Sequence, residues 1–387
     1  MKLGNENLFT EPYNSLLRGA RVGIVTNYTG LNSSFERTID RLIDEGVNVT
    51  KLFAPEHGFY GVGQAGESVS DEVDPKTGIE IISLYGKNKQ MAKHLLRDID
   101  TLILEIQDVG VRFYTYISTM FHVMKTAGNA GVPLVILDRP NPLGGTLVEG
   151  AGVENRYRSF VGQYDLPIRH GMTIGELAVL YKHENDLDAD LHIVKVEGWD
   201  REWLFSNTDL NWVPPSQNIP NFTTSLIYPG TAFIEGTNLS EGRGTTMPFR
   251  WIGALWINGE KWADVLNELD LPGVTFRPVM FKPALSKYEG AVIEGVEVHV
   301  TDSDCFIPTA TGLHIIDQTW HLYPDQFEWI ESEGSLFIDL LWGSSKYRQD
   351  LNRGRSVSEI IEEWEAYSAD FIKRRKPYLL YPACNWQ

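Results

Sequence analysis

A chain of 387 residues with 42% hydrophobic content can bury large cores and is too long for one ordinary domain, so two domains are expected. Asp and Glu number 52 against 34 Lys and Arg, and the net charge of -18 argues against nucleic acid and anionic membrane surfaces as partners. Cys305 and Cys384 have neither metal-ligand spacing nor the density of a disulfide scaffold, so both are expected to be inert.

No apolar leader follows Met1-Lys2, and no stretch is long enough to span a bilayer. The chain as written is therefore expected to be cytoplasmic, or secreted or periplasmic where a signal segment has been removed. In chain order, β-branched apolar runs at 21–26, 47–53, 80–84, 101–106, 134–137 and 192–196 alternate with helical patterns at 35–45, 88–97 and 111–130. That alternation predicts an α/β fold, a parallel sheet covered on both faces. Thr173 and Glu176 form a capping-box pattern opening a helix that runs to about His183.

The prolines of Val213-Pro214-Pro215-Ser216-Gln217-Asn218-Ile219-Pro220-Asn221 forbid continued helix or central strand. A domain boundary is expected shortly after, near Tyr228-Pro229-Gly230, giving domains 1–228 and 229–387. The second part carries strand-like runs at 273–278 and 291–300 and helical patterns at 312–322 and 333–342. Its terminal helix opens on the capping box Ser356 and Glu359 and ends in Lys373-Arg374-Arg375-Lys376, where cations complement the helix dipole.

Ligands of open parallel sheets bind beyond the carboxyl ends of the strands, so polar residues just after the strands matter most. In Ala54-Pro55-Glu56-His57-Gly58-Phe59 a carboxyl and an imidazole follow a buried strand, and Glu56 is either a general acid or a cap or salt-bridge partner. Gly61-Val62-Gly63-Gln64-Ala65-Gly66 has the spelling of a dinucleotide fingerprint but leads into an acidic, interrupted segment rather than a helix. It is expected to be a flexible loop, a lid over the cleft. Asp108, Arg112, Tyr114 and Tyr116 cluster near a predicted helix start that favours anions, with N-capping the plainer role for Asp108. Asp138, Arg139 and Asn141 sit on a loop stiffened by two prolines, with Glu149 close behind, and Arg139 is equally suited to bracing that turn. The loop 233–249 concentrates Glu235, Asn238, Glu241, Arg243 and Thr245, more polar chemistry than a connecting turn requires. No zincin helix, Walker loop, zinc ribbon or serine nucleophile elbow is present, and neither a metal nor another cofactor is expected.

Together Arg21-Val22-Gly23-Ile24-Val25-Thr26-Asn27-Tyr28-Thr29-Gly30, Pro55-Glu56-His57-Gly58, Gln107-Asp108-Val109-Gly110, Asp138-Arg139-Pro140-Asn141-Pro142 and Glu241-Gly242-Arg243-Gly244-Thr245 carry a resemblance. With Phe337-Ile338-Asp339-Leu340-Leu341-Trp342-Gly343-Ser344, they make nearly the whole chain similar to the bacterial exo-β-N-acetylmuramidase (NamZ-like) glycoside hydrolases of peptidoglycan recycling. The resemblance implies a Rossmann-like N-terminal domain, a smaller C-terminal α/β (α+β) domain and an active site in the cleft between them. It implies release of β-1,4-linked N-acetylmuramic acid from the non-reducing end of peptidoglycan fragments, with muropeptides or MurNAc-GlcNAc saccharides as ligands and Glu56 as the catalytic glutamate.

Such a reaction needs an acid and a second group, for which Asp108, Glu149, Glu235 and Glu241 are candidates beside the substrate's own N-acetyl oxygen, and His57 could tune the acid. The lactyl carboxylate of muramic acid calls for a cation, with Arg112, Arg139 and Arg243 available. Tyr114, Tyr116 and Trp251 could stack on sugar faces. The rival expectations are a dinucleotide-dependent oxidoreductase and a non-catalytic cell-wall-binding protein.

Overall fold

The short helix α1 (Gly4–Asn7) precedes strand β1 (Arg21–Thr26), the centre of a seven-stranded sheet in a computed structural model that describes residues 1–64, 66–67, 70–85, 91–332 and 334–381. Helix α2 (Thr38–Asp44) leads to β2 (Asn48–Ala54), β3 (Glu72–Val73), β4 (Glu80–Ser83) and β5 (Thr101–Glu105). Helix α3 (Tyr116–Ala130), β6 (Leu134–Leu137), α4 (Ile174–Glu184) and β7 (Leu191–Val194) complete this part. The strand order is β3-β4-β2-β1-β5-β6-β7, parallel throughout except for the antiparallel β3–β4 pair. Every residue of β5 and β6 is buried, as strands covered on both faces must be.

All six expected strands form, each end within two residues of its expected place. The helical pattern at 111–130 yields a helix only from Tyr116, because Val111 pairs as an isolated bridge with Arg169 and the chain through Thr115 is held as a loop. The expected helix at 88–97 lies partly outside the described residues; its described part is a single 3-10 turn, Lys93–Leu96. Cys384, Glu333, Ala65 of the glycine-rich stretch and Ser68 and Val69 of the acidic segment after it also fall outside them. Thr173 and Glu176 make both bonds of their capping box at the start of α4.

Helix α5 (Phe222–Thr231), opened by Asn221 accepting from the Thr224 amide, carries Pro229 and runs into a 3-10 turn, Ala232–Gly236. The smaller, antiparallel sheet has the order β8-β10-β9, from β8 (Trp251–Ala254), β9 (Val274–Phe281) and β10 (Ile293–Val300), with α6 (Gly259–Glu268) inserted before β9. Helix α7 (Pro308–Leu322), the small ladder of β11 (Glu331–Ser332) and β12 (Ser335–Leu336), α8 (Phe337–Trp342), α9 (Lys346–Asn352) and α10 (Val357–Arg375) finish the described chain. The Ser356–Glu359 capping box opens α10, which buries Ile360, Trp364 and Phe371. Neither α5, β8 nor α6 is anticipated by the sequence patterns.

The two sheets share one apolar core. Phe113, from the loop after β5, packs edge-on against Tyr228 of α5 at 5.5 Å and Phe233 at 6.0 Å between ring centroids. That contact fixes the walls of the cavity described next. Among the described residues no helix is long and apolar enough to cross a membrane.

Candidate active site

A cavity of about 580 Å³ opens beyond the carboxyl ends of β2 and β5 and is closed by α5, the loop after it and α8. Its floor carries Glu56, His57, Tyr114 and Thr115, and its walls Ser216, Asn218, Tyr228, Glu235, Arg243, Phe249 and Phe337.

Buried Leu52-Phe53-Ala54 delivers Glu56 to this position, and the chain then reverses through two successive left-handed residues, His57 (φ 73°) and Gly58 (φ 75°). Glycine adopts that backbone freely, whereas histidine is strained there, so surrounding bonds must hold it. Both Glu56 oxygens are occupied: Oε1 accepts from the Gly66 amide at 2.9 Å and Oε2 from the Thr115 hydroxyl at 2.5 Å. His57 Nδ1 lies 3.0 Å from the Gly63 carbonyl oxygen, which can only accept, so Nδ1 carries the hydrogen and Nε2 is left as an acceptor. Burial lowers the His57 pKa against the opposing charge of Glu56, which keeps the ring neutral.

The glycine-rich stretch therefore forms part of the site wall, with Gly63 and Gly66 offering a carbonyl and an amide to the two residues. No helix follows it among the described residues, so the dinucleotide geometry is absent. Gln217 latches the loop from the proline-rich segment: its Nε2 donates to Val62 O at 3.1 Å, and its Oε1 accepts from Gln64 at 2.6 Å.

Facing the cavity from the other part is a charge cluster. Arg243 Nη2 donates to Glu235 Oε1 at 2.6 Å, Nε lies 3.3 Å from Glu241 Oε1, and the guanidinium covers the Phe249 ring at 5.0 Å. Lys287 neutralises the far side, donating to Glu241 Oε2 at 3.0 Å and to the carbonyls of Ile234 and Leu239 at 3.1 and 2.9 Å. Burial raises the Glu235 pKa, with Arg243 opposing. Burial works against the charged guanidinium too, but the charges of Glu235 and Glu241 outweigh it, so Arg243 stays protonated.

Of the residues singled out from sequence, Glu56, His57, Tyr114, Glu235 and Arg243 line the cavity. Glu241 stands behind Arg243, 4% exposed. The others do not line it. Asp108 is sealed beside His170 at 3.9 Å and accepts from the Gly110 amide; burial pushes its carboxyl up to about 7. Arg112 is fully buried, and its two Nη atoms donate to the carbonyls of Ala151, Leu166 and Leu341 at 2.5 to 2.6 Å, so it braces both parts of the chain. Tyr116 donates to Pro215 O and accepts from Asn27. Asp138 holds the start of α4 through Thr173 and the Gly175 amide. Arg139 pairs with buried Glu105 at 2.7 Å and braces Gln107. Asn141 binds the Met172 carbonyl and the Leu143 amide. Glu149 pairs with Arg169 at 2.7 Å and accepts from the Thr309 amide. Asn238 bonds Gln326 O and the Glu328 amide, Thr245 closes its own turn onto Gly242 O, and Trp251 packs against Phe281.

Thr115, Ser216, Asn218 and Lys287 belong to this site but were not anticipated. Thr115 lies between two tyrosines that were, whereas Lys287 is an isolated cation 46 residues from Glu241 with no local pattern to mark it. Among the described residues no group of three or more His, Cys, Asp or Glu side chains is placed to hold a metal ion.

A polar cavity of sugar size, with two carboxyl groups and aromatic walls on a two-sheet α/β scaffold, is the equipment of a glycoside hydrolase. The sequence model described as exo-β-N-acetylmuramidase NamZ, N-terminal, matches residues 22–223, and its C-terminal counterpart matches residues 226–381. The peptidoglycan β-N-acetylmuramidase NamZ of Bacillus subtilis (strain 168) is 46% identical over 370 residues, which is 95% of this chain and 89% of that protein. Two DUF1343 family crystal structures from Bacteroides fragilis NCTC 9343 share the architecture. One has TM-score 0.90 at 36% identity, covering 98% of this chain and 99% of that one; the other has 0.79 at 29%, covering 99% of each. The chain belongs to the NamZ family of exo-β-N-acetylmuramidases.

Proposed function

We propose that this protein releases N-acetylmuramic acid from the non-reducing end of peptidoglycan fragments, muropeptides or MurNAc-GlcNAc saccharides, with Glu56 as the acid. The observation that carries the reading is Glu56 itself, buried at the cavity floor and held at both oxygens, in a chain 46% identical to a peptidoglycan β-N-acetylmuramidase. The proton of Glu56 passes to the glycosidic oxygen as the bond to the anomeric carbon breaks. Water then adds to that carbon and gives its own proton to a base, so that protons balance over the cycle.

Among the described residues Glu235 is the second carboxyl that lines the cavity; Asp108 and Glu149 are engaged elsewhere. Of the three candidate arginines only Arg243 reaches the cavity, which supports it as the partner of the lactyl carboxylate.

The test is Glu56→Gln, which keeps size and one acceptor oxygen. Turnover of a chromogenic N-acetylmuramide should fall by roughly 10²-fold or more, the range for a positioned acid, while binding of a muramyl saccharide persists. Equal turnover by variant and parent would remove Glu56 as the acid, and binding without turnover by either would indicate a wall-binding protein without this chemistry.

A further inference from the structure

We infer that Thr115 is a positioning residue for the reaction, and that the proton Glu56 exchanges with substrate resides on Oε2, the oxygen that Thr115 holds. The inference rests on the reading of Glu56 as the acid and deepens it.

The two oxygens of Glu56 are not equivalent. Oε1 faces the Gly66 amide at 2.9 Å, and an amide can donate but never accept. A protonated carboxyl oxygen is a poorer acceptor than a carbonyl-type one, so the Gly66 amide favours leaving Oε1 without the proton. Oε2 faces a hydroxyl at 2.5 Å, and a hydroxyl can do either. It donates to Oε2 when the carboxyl is ionised and turns its lone pair to it when the carboxyl is protonated. Thr115 is thus the partner at this carboxyl that suits both protonation states, as a group cycling between acid and base requires. Its bond is charge-assisted only in the ionised state, so it stabilises the carboxylate left behind when the proton departs.

The backbone around Thr115 is built to hold this register. Thr115 stands at the N-cap of α3, but its side chain does not cap the helix; it points to Glu56 instead. Arg112, three residues earlier, ties this loop to three carbonyls, one of them Leu341 in the opposite wall. The Arg112 amide also binds Ile168 O at 2.9 Å. The hydroxyl is therefore presented by a clamped segment, and its position does not depend on the substrate.

The experiment compares Thr115→Val, Thr115→Ser and Glu56→Gln on one chromogenic muramide, with pH profiles of kcat and KM and thermal unfolding of each protein. Valine keeps the shape and removes the hydroxyl. Thr115→Val should lower kcat about tenfold with little change in KM, since one charge-assisted bond is lost to the acid and none to the substrate. Its pH–rate profile should move upward by about one unit, because the ionised form has lost a donor. Thr115→Ser should restore both. A merely structural role would lower the unfolding temperature and leave the pH profile in place, and that result overturns the inference. So does a serine variant as impaired as the valine one. Should Glu56→Gln retain turnover, the acid reading itself fails and this inference with it, an outcome separable from a dead Glu56→Gln beside an unaffected Thr115→Val.

Discussion

Arg243 illustrates how one side chain can serve both the protein and its ligand. Its Nε and Nη2 are committed to Glu235 and Glu241, while among the described residues no hydrogen bond engages Nη1, and the residue lines the cavity. An incoming carboxylate could take that remaining edge without displacing either internal partner. Arg243→Lys keeps the charge near both glutamates but loses the planar fork. The expected outcome is a KM for muramyl substrates raised about tenfold, the cost of one charge-assisted bond, with a much smaller change for glucosaminyl analogues that lack the lactyl group. Equal losses on both series would remove Arg243 from this role. The same scale shows what was legible in the sequence. Glu56, His57, Tyr114, Glu235 and Arg243 were recognisable because each lies in a dense polar run directly after an apolar element. Arg112 and Arg139 had the same signature, yet the fold spends them on carbonyls and on Glu105. A sequence records which groups are near the strand ends but not which are already satisfied by partners distant in the chain.

At the scale of elements, the cavity wall depends on how α5 meets α7. Gly230 and Gly312 face each other at that crossing, and a Cβ on either would overlap the partner backbone, at Pro308 O and at Gly230 O respectively. Tyr228 of α5 lines the cavity two residues from the crossing. Gly312→Ala should therefore cost about 2 kcal/mol or more, as overpacking in a close-packed interior does, and should also lower kcat by moving Tyr228. Calorimetry and kinetics on one preparation check it; unchanged stability would show that the helices separate freely. This crossing also explains the limits of pattern reading. The strands of the large sheet announced themselves because central parallel strands such as Leu102-Ile103-Leu104 and Leu134-Val135-Ile136-Leu137 are continuously apolar. Helix α5 did not, because its Thr-Thr-Ser start and its Pro229 and Gly230 look like breakers. Their reason for being there is close packing against α7 in three dimensions. Likewise α6 has a mostly polar surface and was passed over, although Trp262 anchors it with no exposed area.

For the molecule as a whole, acidity and burial combine into a dependence of stability on pH. The chain carries a net charge of -18, and its interior nonetheless holds carboxyl groups whose ionised form is penalised by burial. Asp108 is pushed up to about 7 and Asp138 to about 6, both by burial, with hydrogen bonds from neighbouring donors opposing. In the unfolded chain an aspartate titrates near roughly 3.9. Between that value and the folded one the native state holds the extra proton, so each contribution is stabilising at low pH and is lost as pH rises through the folded pKa. For Asp108 the window runs from about pH 4 to about 7. Asp108→Asn keeps an oxygen to accept from the Gly110 amide and removes the titration. Relative to the parent, its unfolding temperature should be higher at pH 8 than at pH 5, and the advantage should fade towards pH 4. The opposite trend would appear if the ionised carboxylate were the form the fold prefers, as it is for Asp74, whose pairing with Arg37 and bonds from Thr77 and Tyr60 overcome burial and hold it well below the usual range. A difference independent of pH would mean that Asp108 does not change protonation on folding; His170, 3.9 Å away and held neutral by a pKa that burial lowers to about 3, offers it no charge partner in this range.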